Sequence, residues 1–180
     1  MIIPGKIPYI KKANLKLSIS AGIMINQSDW IPAHDHAVYF GDKYAAPYDR
    51  IMVKIYLDDQ ILASQSMDQP LHMDYDFLDT DTTVDHFLKI AVSGFEQKFY
   101  EQIKDIGDPY PMIAIDTIKL ENLNMQQIIQ DHGSYVLADT PNTVTIPSTH
   151  MGQSGYQSLY FTTPIYVWLL ENEANPNYYL

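Results

Sequence analysis

Cysteine is absent from the 180 residues. That excludes disulfide staples, thiolate metal sites and cysteine nucleophiles. Arginine is almost absent, with Arg50 standing alone. Lys and Arg together number 11 against 22 Asp and Glu, for a formal net charge of -11. Binding to a phosphate backbone or an anionic membrane surface needs clustered cations, so neither nucleic acid nor membrane is expected as a partner. The acidity suits solubility, divalent cations or a basic partner. Long apolar runs are also lacking, and no stretch reaches the length of a bilayer span. The opening "MIIPGKIPYIKKANLKLSIS" has no apolar core of the signal-peptide kind, so no secretory leader is expected. Without one, the sequon at Asn26-Gln27-Ser28 reads as chance.

Hydrophobic residues make up 46% and charged ones 18%, enough apolar material for the core of one domain. Fourteen tyrosines are in excess; tyrosine suits half-buried pleated surfaces and wet interfaces. The dominant period is two. "NLKLSIS" sets Leu15, Leu17 and Ile19 on one face, and "RIMVKIYLDDQILA" sets Ile51, Val53, Ile55 and Leu57 against Lys54, Tyr56 and Asp58. Asp58-Asp59 between two such runs predicts a hairpin. "HFLKIAV" alternates Leu88, Ile90 and Val92 against Lys89 and Ala91. "MIAIDTIKLENL" alternates, slips by one at Asp116-Thr117 and resumes, as a bulge does. "SLYFTTPIYVWLLEN" holds two apolar runs broken at Pro164, where a strand should end or bend.

Helical signals are few: "MQQIIQDHG", stopped by Gly133, and "EQKFYEQIKDIG" as a helical turn or charged loop. Residues 26–48 and 131–156 read as loops outside the core. The pattern predicts an all-β fold, an antiparallel β-sandwich of the jelly-roll kind with long loops. Its expected division is an extension over 1–12, a sandwich over 13–170 and a tail over 171–180.

The acidic stretch "LHMDYDFLDTDTTVDHFLKIAV" is the main chemical candidate. Asp74 and Asp76 should share a strand face, with Asp79, Asp81 and Asp85 in the turn that follows. Several carboxylates on one turn supply part of a calcium shell, but the Asp-x-Asp-x-Asp-Gly loop is missing. The stretch therefore reads first as a polar edge that discourages aggregation and second as a calcium site. Asp74 and Asp76 also admit a glycosidase pair, although a small sandwich offers little cleft. His34, Asp35 and His36 could hold a transition metal, but two imidazoles are too few alone. Ser154, in "THMGQSGYQS", lacks a nucleophile elbow. Trp30, Tyr39, Tyr44 and Tyr48 lie in a loop region and are candidates to stack on sugars or touch a partner; Trp168 reads as core or a subunit contact.

From "IMVKIYLDDQIL" through "DYDFLDTDTTVDHFLKIAVSG" to "IAIDTIKLENLNM", the order of strands resembles small β-sandwich carbohydrate-binding modules, including calcium-dependent xylan-binding ones. That resemblance implies loop aspartates on calcium and host surface glycans as ligands, while the absence of catalytic spacing argues against an enzyme. "MGQSGYQSLYFTTPIYVWLLEN" resembles the ends of small virion proteins of marine tailed phages. This second resemblance implies a virion structural or decorating protein, docked on other virion proteins as a homo- or hetero-oligomer. The joint expectation is a non-enzymatic virion component on a lectin-like sandwich, with a calcium-dependent carbohydrate-binding module as the alternative.

Overall fold

A computed structural model describes residues 13–25, 29–30, 48–106, 112–172 and 178. The described elements are β1 (Ala13–Ile25), β2 (Asp29–Trp30), β3 (Met52–Leu57), β4 (Gln60–Ser66), β5 (Leu71–Asp79) and β6 (Val84–Ser93). After these come α1 (Gln97–Ile106), β7 (Met112–Leu120), β8 (Leu123–Asn124), α2 (Met125–His132), β9 (Ser134–Leu137), β10 (Val144–Thr145), β11 (His150–Met151), β12 (Gly155–Thr163) and α3 (Ile165–Glu171). The terminal extension over 1–12, Tyr39, Tyr44 and the His34-Asp35-His36 group lie outside the described residues.

The strands form two antiparallel sheets, as the period of two predicts. The first is built on β1. It pairs with β7 along one side, and with β5 and then β2 along the other; β11 and β8 extend β7. The second runs in the order β10-β9-β12-β6-β3-β4. Alternation sorts the side chains. Leu17, Ile19, Ala21 and Ile23 of β1 turn inward, as do Val53, Ile55 and Leu57 of β3, Leu88, Ile90 and Val92 of β6, and Leu159 and Phe161 of β12, all within one buried cluster. Each such aliphatic or aromatic side chain contributes about 1.5–3 kcal/mol when fully buried.

Local chemistry fixes the joints. Asp58-Asp59 closes the β3–β4 hairpin, with Asp58 in the left-handed region at φ 55. The phase slip in β7 is a bulge: Ser20 pairs with Thr117 and Ala21 with Ile115, leaving Asp116 as the extra residue. At α2 the Asn124 side chain accepts from the Gln127 N–H, and the helix buries Met125, Ile128 and Ile129 before Gly133.

One expectation needs correcting. Residues 131–156 are not a loop outside the core, because they carry β9, β10 and β11 and bury Tyr135 and Met151. At Pro164 the strand ends as expected, β12 stopping at Thr163; the run beyond is helical, and Ile165, Trp168 and Leu169 are its buried residues, at the spacing of one helix face. "EQKFYEQIKDIG" resolves to helix α1, and Phe99 packs edge-on against Tyr48 at 5.5 Å and Phe95 at 5.4 Å.

Candidate functional site

The outer face of the second sheet gathers aromatic rings. On β6, β3 and β12 the residues alternating with the core point outward: Phe87 and Lys89, Lys54 and Tyr56, Tyr156 and Tyr160. Strand register then sets them side by side. Tyr160 pairs with Phe87, Lys89 lies between Ser158 and Tyr56, and Ala91 lies between Tyr156 and Lys54. The Phe87 and Tyr160 rings stack at 4.3 Å with planes 31° apart, and Tyr160 is 71% exposed. Lys89 Nζ sits 4.3 Å from the Tyr56 ring centre and 5.5 Å from that of Tyr156.

The hairpin end of this face is acidic. Asp58, Asp59, Asp85, His86, Phe87 and Tyr160 line a depression of about 210 Å³. Asp58 is locked in place by two contacts. Its Oδ1 accepts the Phe87 backbone N–H at 2.8 Å, and its Oδ2 lies 3.0 Å from His86 Nδ1. A carboxylate can only accept, so the proton sits on Nδ1; the other ring nitrogen is buried without a hydrogen-bond partner. The imidazole is clamped between Phe77 at 5.0 Å and Phe161 at 5.4 Å. Core aromatics thus fix His86, His86 fixes Asp58, and Asp58 fixes the backbone that presents Phe87. The exposed Asp59 and Asp85 carboxylates remain as acceptors for a hydroxylated ligand.

The outer face of the first sheet is polar: among the described residues its centre carries Lys16, Ser18, Ser20, His72, Asp74, Thr117 and Lys119. Ser20 pairs with His72 and Thr117, Ser18 with Asp74 and Lys119, and Lys16 with Asp76. Most of these line a depression of about 560 Å³. Ser18 Oγ donates to Asp74 Oδ1 at 2.6 Å, and Lys16 Nζ lies 3.4 Å from Oδ2. The Ser18 hydroxyl above all, and then the lysines, hold the Asp74 carboxyl below its ordinary value. Asp74 is therefore a charged acceptor at neutral pH and unsuited to act as the proton donor of a glycosidase pair.

The sequence candidates scatter. Asp74 and Asp76 share the outer face of β5, as expected, with Phe77 buried behind them. Asp81 is exposed in the turn, and Asp85 is exposed on β6 opposite Thr162. Asp79 departs from its expected place: it lies not in the turn but at the end of β5, 2% exposed. Its Oδ1 accepts the Ile165 backbone N–H at 3.0 Å, tying the start of α3 to the first sheet. The turn between β5 and β6 satisfies itself through hydroxyls, Thr80 bonding to Thr163 at 2.6 Å and to the Thr82 carbonyl at 2.8 Å. Among the described residues no group of three or more His, Cys, Asp or Glu is placed to hold a metal ion. Tyr48 is also corrected, being fully buried rather than on a loop surface. Of Trp30, only the backbone pairing with Met24 is described. Trp168 is a core residue.

Asp79 carries a testable pH signature. Burial pushes its carboxyl above the ordinary 3.8, against the pull of the Ile165 N–H. Near and above 3.8 the fold therefore retains a proton that the unfolded chain releases. The stabilising contribution is complete below the unfolded value and lost as pH rises through the raised folded value. Asp79→Asn keeps an acceptor for Ile165 but removes the titration. In denaturant melts from about pH 3 to about pH 7, spanning the carboxylate range, the wild type is expected to lose stability relative to this variant as pH rises above 3.8. Parallel profiles would refute the assignment. Asp79→Leu, which strands the Ile165 N–H, is expected to cost about 1–3 kcal/mol.

A comparison with known protein families finds no match, and neither does one with curated protein sequences. Among solved structures, the chain is similar to one described as "vCBM60 in complex with galactobiose", at 9% identity and a TM-score of 0.37, over 80% of this chain and 96% of that one. No helix among the described residues is long and apolar enough to cross a membrane.

Proposed function

We propose that the chain is a non-catalytic glycan-binding β-sandwich whose recognition surface is the hairpin end of the aromatic face. The observation that carries this reading is the stacked, solvent-facing Phe87–Tyr160 pair beside the depression lined by Asp58, Asp59 and Asp85. A pyranose ring has a face of C–H groups and an edge of hydroxyls. The negative π-face of an aromatic ring attracts the former, and carboxylates accept from the latter. Both partners stand here within one depression, on strands whose backbone is already fixed.

Tyr160 is mostly exposed, so Tyr160→Ala removes a binding ring with little effect on folding. A glycan array with the intact chain, followed by calorimetric titration of the best ligand, tests the reading. Tyr160→Ala is expected to weaken binding about tenfold, which is roughly 1.4 kcal/mol. An array without a hit, or full affinity in the variant, would sink the proposal. Repeating the titration in EDTA tests calcium: equal affinity removes the ion from the reading.

A virion role is a second reading, supported by the resemblance of "MGQSGYQSLYFTTPIYVWLLEN" and by one edge of the second sheet. β10 is the outermost strand there, and its Val144 and the adjoining Ile146 are exposed. Such an edge suits pairing with a neighbouring subunit. Light scattering tests it: association that Val144→Lys abolishes supports docking, and a monomer at every concentration counts against it.

A further inference from the structure

We propose that the centre of the aromatic face selects an acidic saccharide, one bearing uronic carboxylates or sulfate esters. This rests on the glycan-binding reading and names the ligand class for it. The face is divided by charge. Asp58, Asp59 and Asp85 stand together at the hairpin end. The two rows beyond hold Ser158, Lys89 and Tyr56, then Tyr156, Ala91 and Lys54, with no acid among them.

Lys89 stands at the middle of this array. Its ammonium is held by the Tyr56 and Tyr156 rings at 4.3 and 5.5 Å. Among the described residues the ion pairs are Lys16–Asp74 and His86–Asp58, so no carboxylate there neutralises Lys89 or Lys54. Two ammonium groups without an ion pair thus share one aromatic face.

The rings serve two ends at once. They hold the Lys89 head group in a fixed, partly dehydrated position, and they offer flat surfaces beside it for a sugar. An anionic sugar laid over Tyr56 or Tyr156 brings its carboxylate or sulfate onto the ammonium in a charge-assisted hydrogen bond. The net charge of -11 opposes indiscriminate binding of polyanions. That repulsion is screened beyond about 10 Å at 0.1 M salt, whereas the ligand's contact with Lys89 is direct. The same polymer can then place a neutral sugar on Phe87 and Tyr160 at the acidic end.

The test titrates the full chain with three probes of similar length: neutral galacto-oligosaccharides, oligogalacturonate and sulfated carrageenan oligosaccharides. The expected result is at least tenfold tighter binding of one anionic probe than of the neutral one; which one separates carboxylate from sulfate recognition. Lys89→Met, which keeps the side-chain length and drops the charge, is expected to bring that affinity ratio toward one, and Lys89→Arg to restore it. Lys54→Met, on the neighbouring row, is expected to reduce the ratio more weakly and stands in should Lys89→Met not fold. Neutral binding equal to or tighter than acidic binding overturns this inference and leaves the glycan reading intact. So does a preference that survives Lys89→Met. Binding of none of the three overturns this inference, while the glycan reading falls only if the array also gives no hit.

Discussion

Phe161→Ala is expected to remove about 3–5 kcal/mol of stability, the usual cost of emptying a phenylalanine site in a packed core. Few substitutions should do more, because a whole domain is stable by only about 5–15 kcal/mol. Phe161 lies on β12 between the two sheets, 4% exposed. Its ring centre is 5.7 Å from Phe77, 5.4 Å from His86 and 6.5 Å from Trp168. It therefore joins three elements from different parts of the chain: β5, β6 and α3. Collapse into the void would have to move a strand or the helix, so the cavity should persist. The damage should also reach the surface. With Phe161 gone, the His86 ring loses one wall of its clamp, and the Asp58 contact that fixes the Phe87 backbone loosens. Urea melts and glycan titrations of the same variant should show both effects. A loss under about 1 kcal/mol, below the range of large-to-small core changes, would mean that this cluster does not hold the sandwich together.

Gly94→Ala is expected to cost roughly 3 kcal/mol through a different cause. Gly94 follows β6 with φ +99, a region where an L side chain is strained by about 1–2 kcal/mol. A Cβ there would also stand 2.1 Å from the Arg50 carbonyl oxygen. That atom belongs to the backbone just before β3 and has no rotamer to escape into. Relieving the clash must part the ends of β3 and β6, where Met52 pairs with Ser93, at a further cost of about 1–3 kcal/mol. Ser93→Ala, on the exposed neighbouring residue, serves as the control and should change stability by no more than about 0.5 kcal/mol. Thermal melts that place the two variants together would refute the steric argument.

The strands were legible where a local pattern dictates them. Alternation announced β1, β3, β6 and β7, the one-residue slip announced the bulge at Asp116, and Asp58-Asp59 announced the hairpin. Gly133 closed α2 as read. What escaped was set by partners distant in the chain. Asp79 sits amid exposed acids and shares their composition, so nothing near it signals burial; its partner is the Ile165 N–H, 86 residues away. Tyr48 borders a loop-like segment and is buried by Phe99. The candidate site was half visible. The period of two placed Tyr56 and Lys89 on outward faces, but only the pairing of β6 with both β3 and β12 brings Phe87 against Tyr160 and Lys89 over Tyr56. A single sequence shows which side of a strand a residue takes and not which strand lies next to it. The aspartates cluster in sequence; the aromatic rings cluster only in space.

The central position of β6 has a final consequence. Because β3 and β12 bind it along both edges, neighbouring strands there lie about 4.8 Å apart, and like-facing residues along each strand lie about 6.7 Å apart. Backbone geometry, not side-chain choice, sets those intervals, so the face works as a ruler with fixed graduations. A straight polymer whose units fall in step with it can engage several marks together, while a branched or coiled one meets a single mark. On the proposed glycan reading, sensitivity to ligand length and straightness would follow from the sheet itself, and exchanging individual rings would retune strength while leaving the scale unaltered.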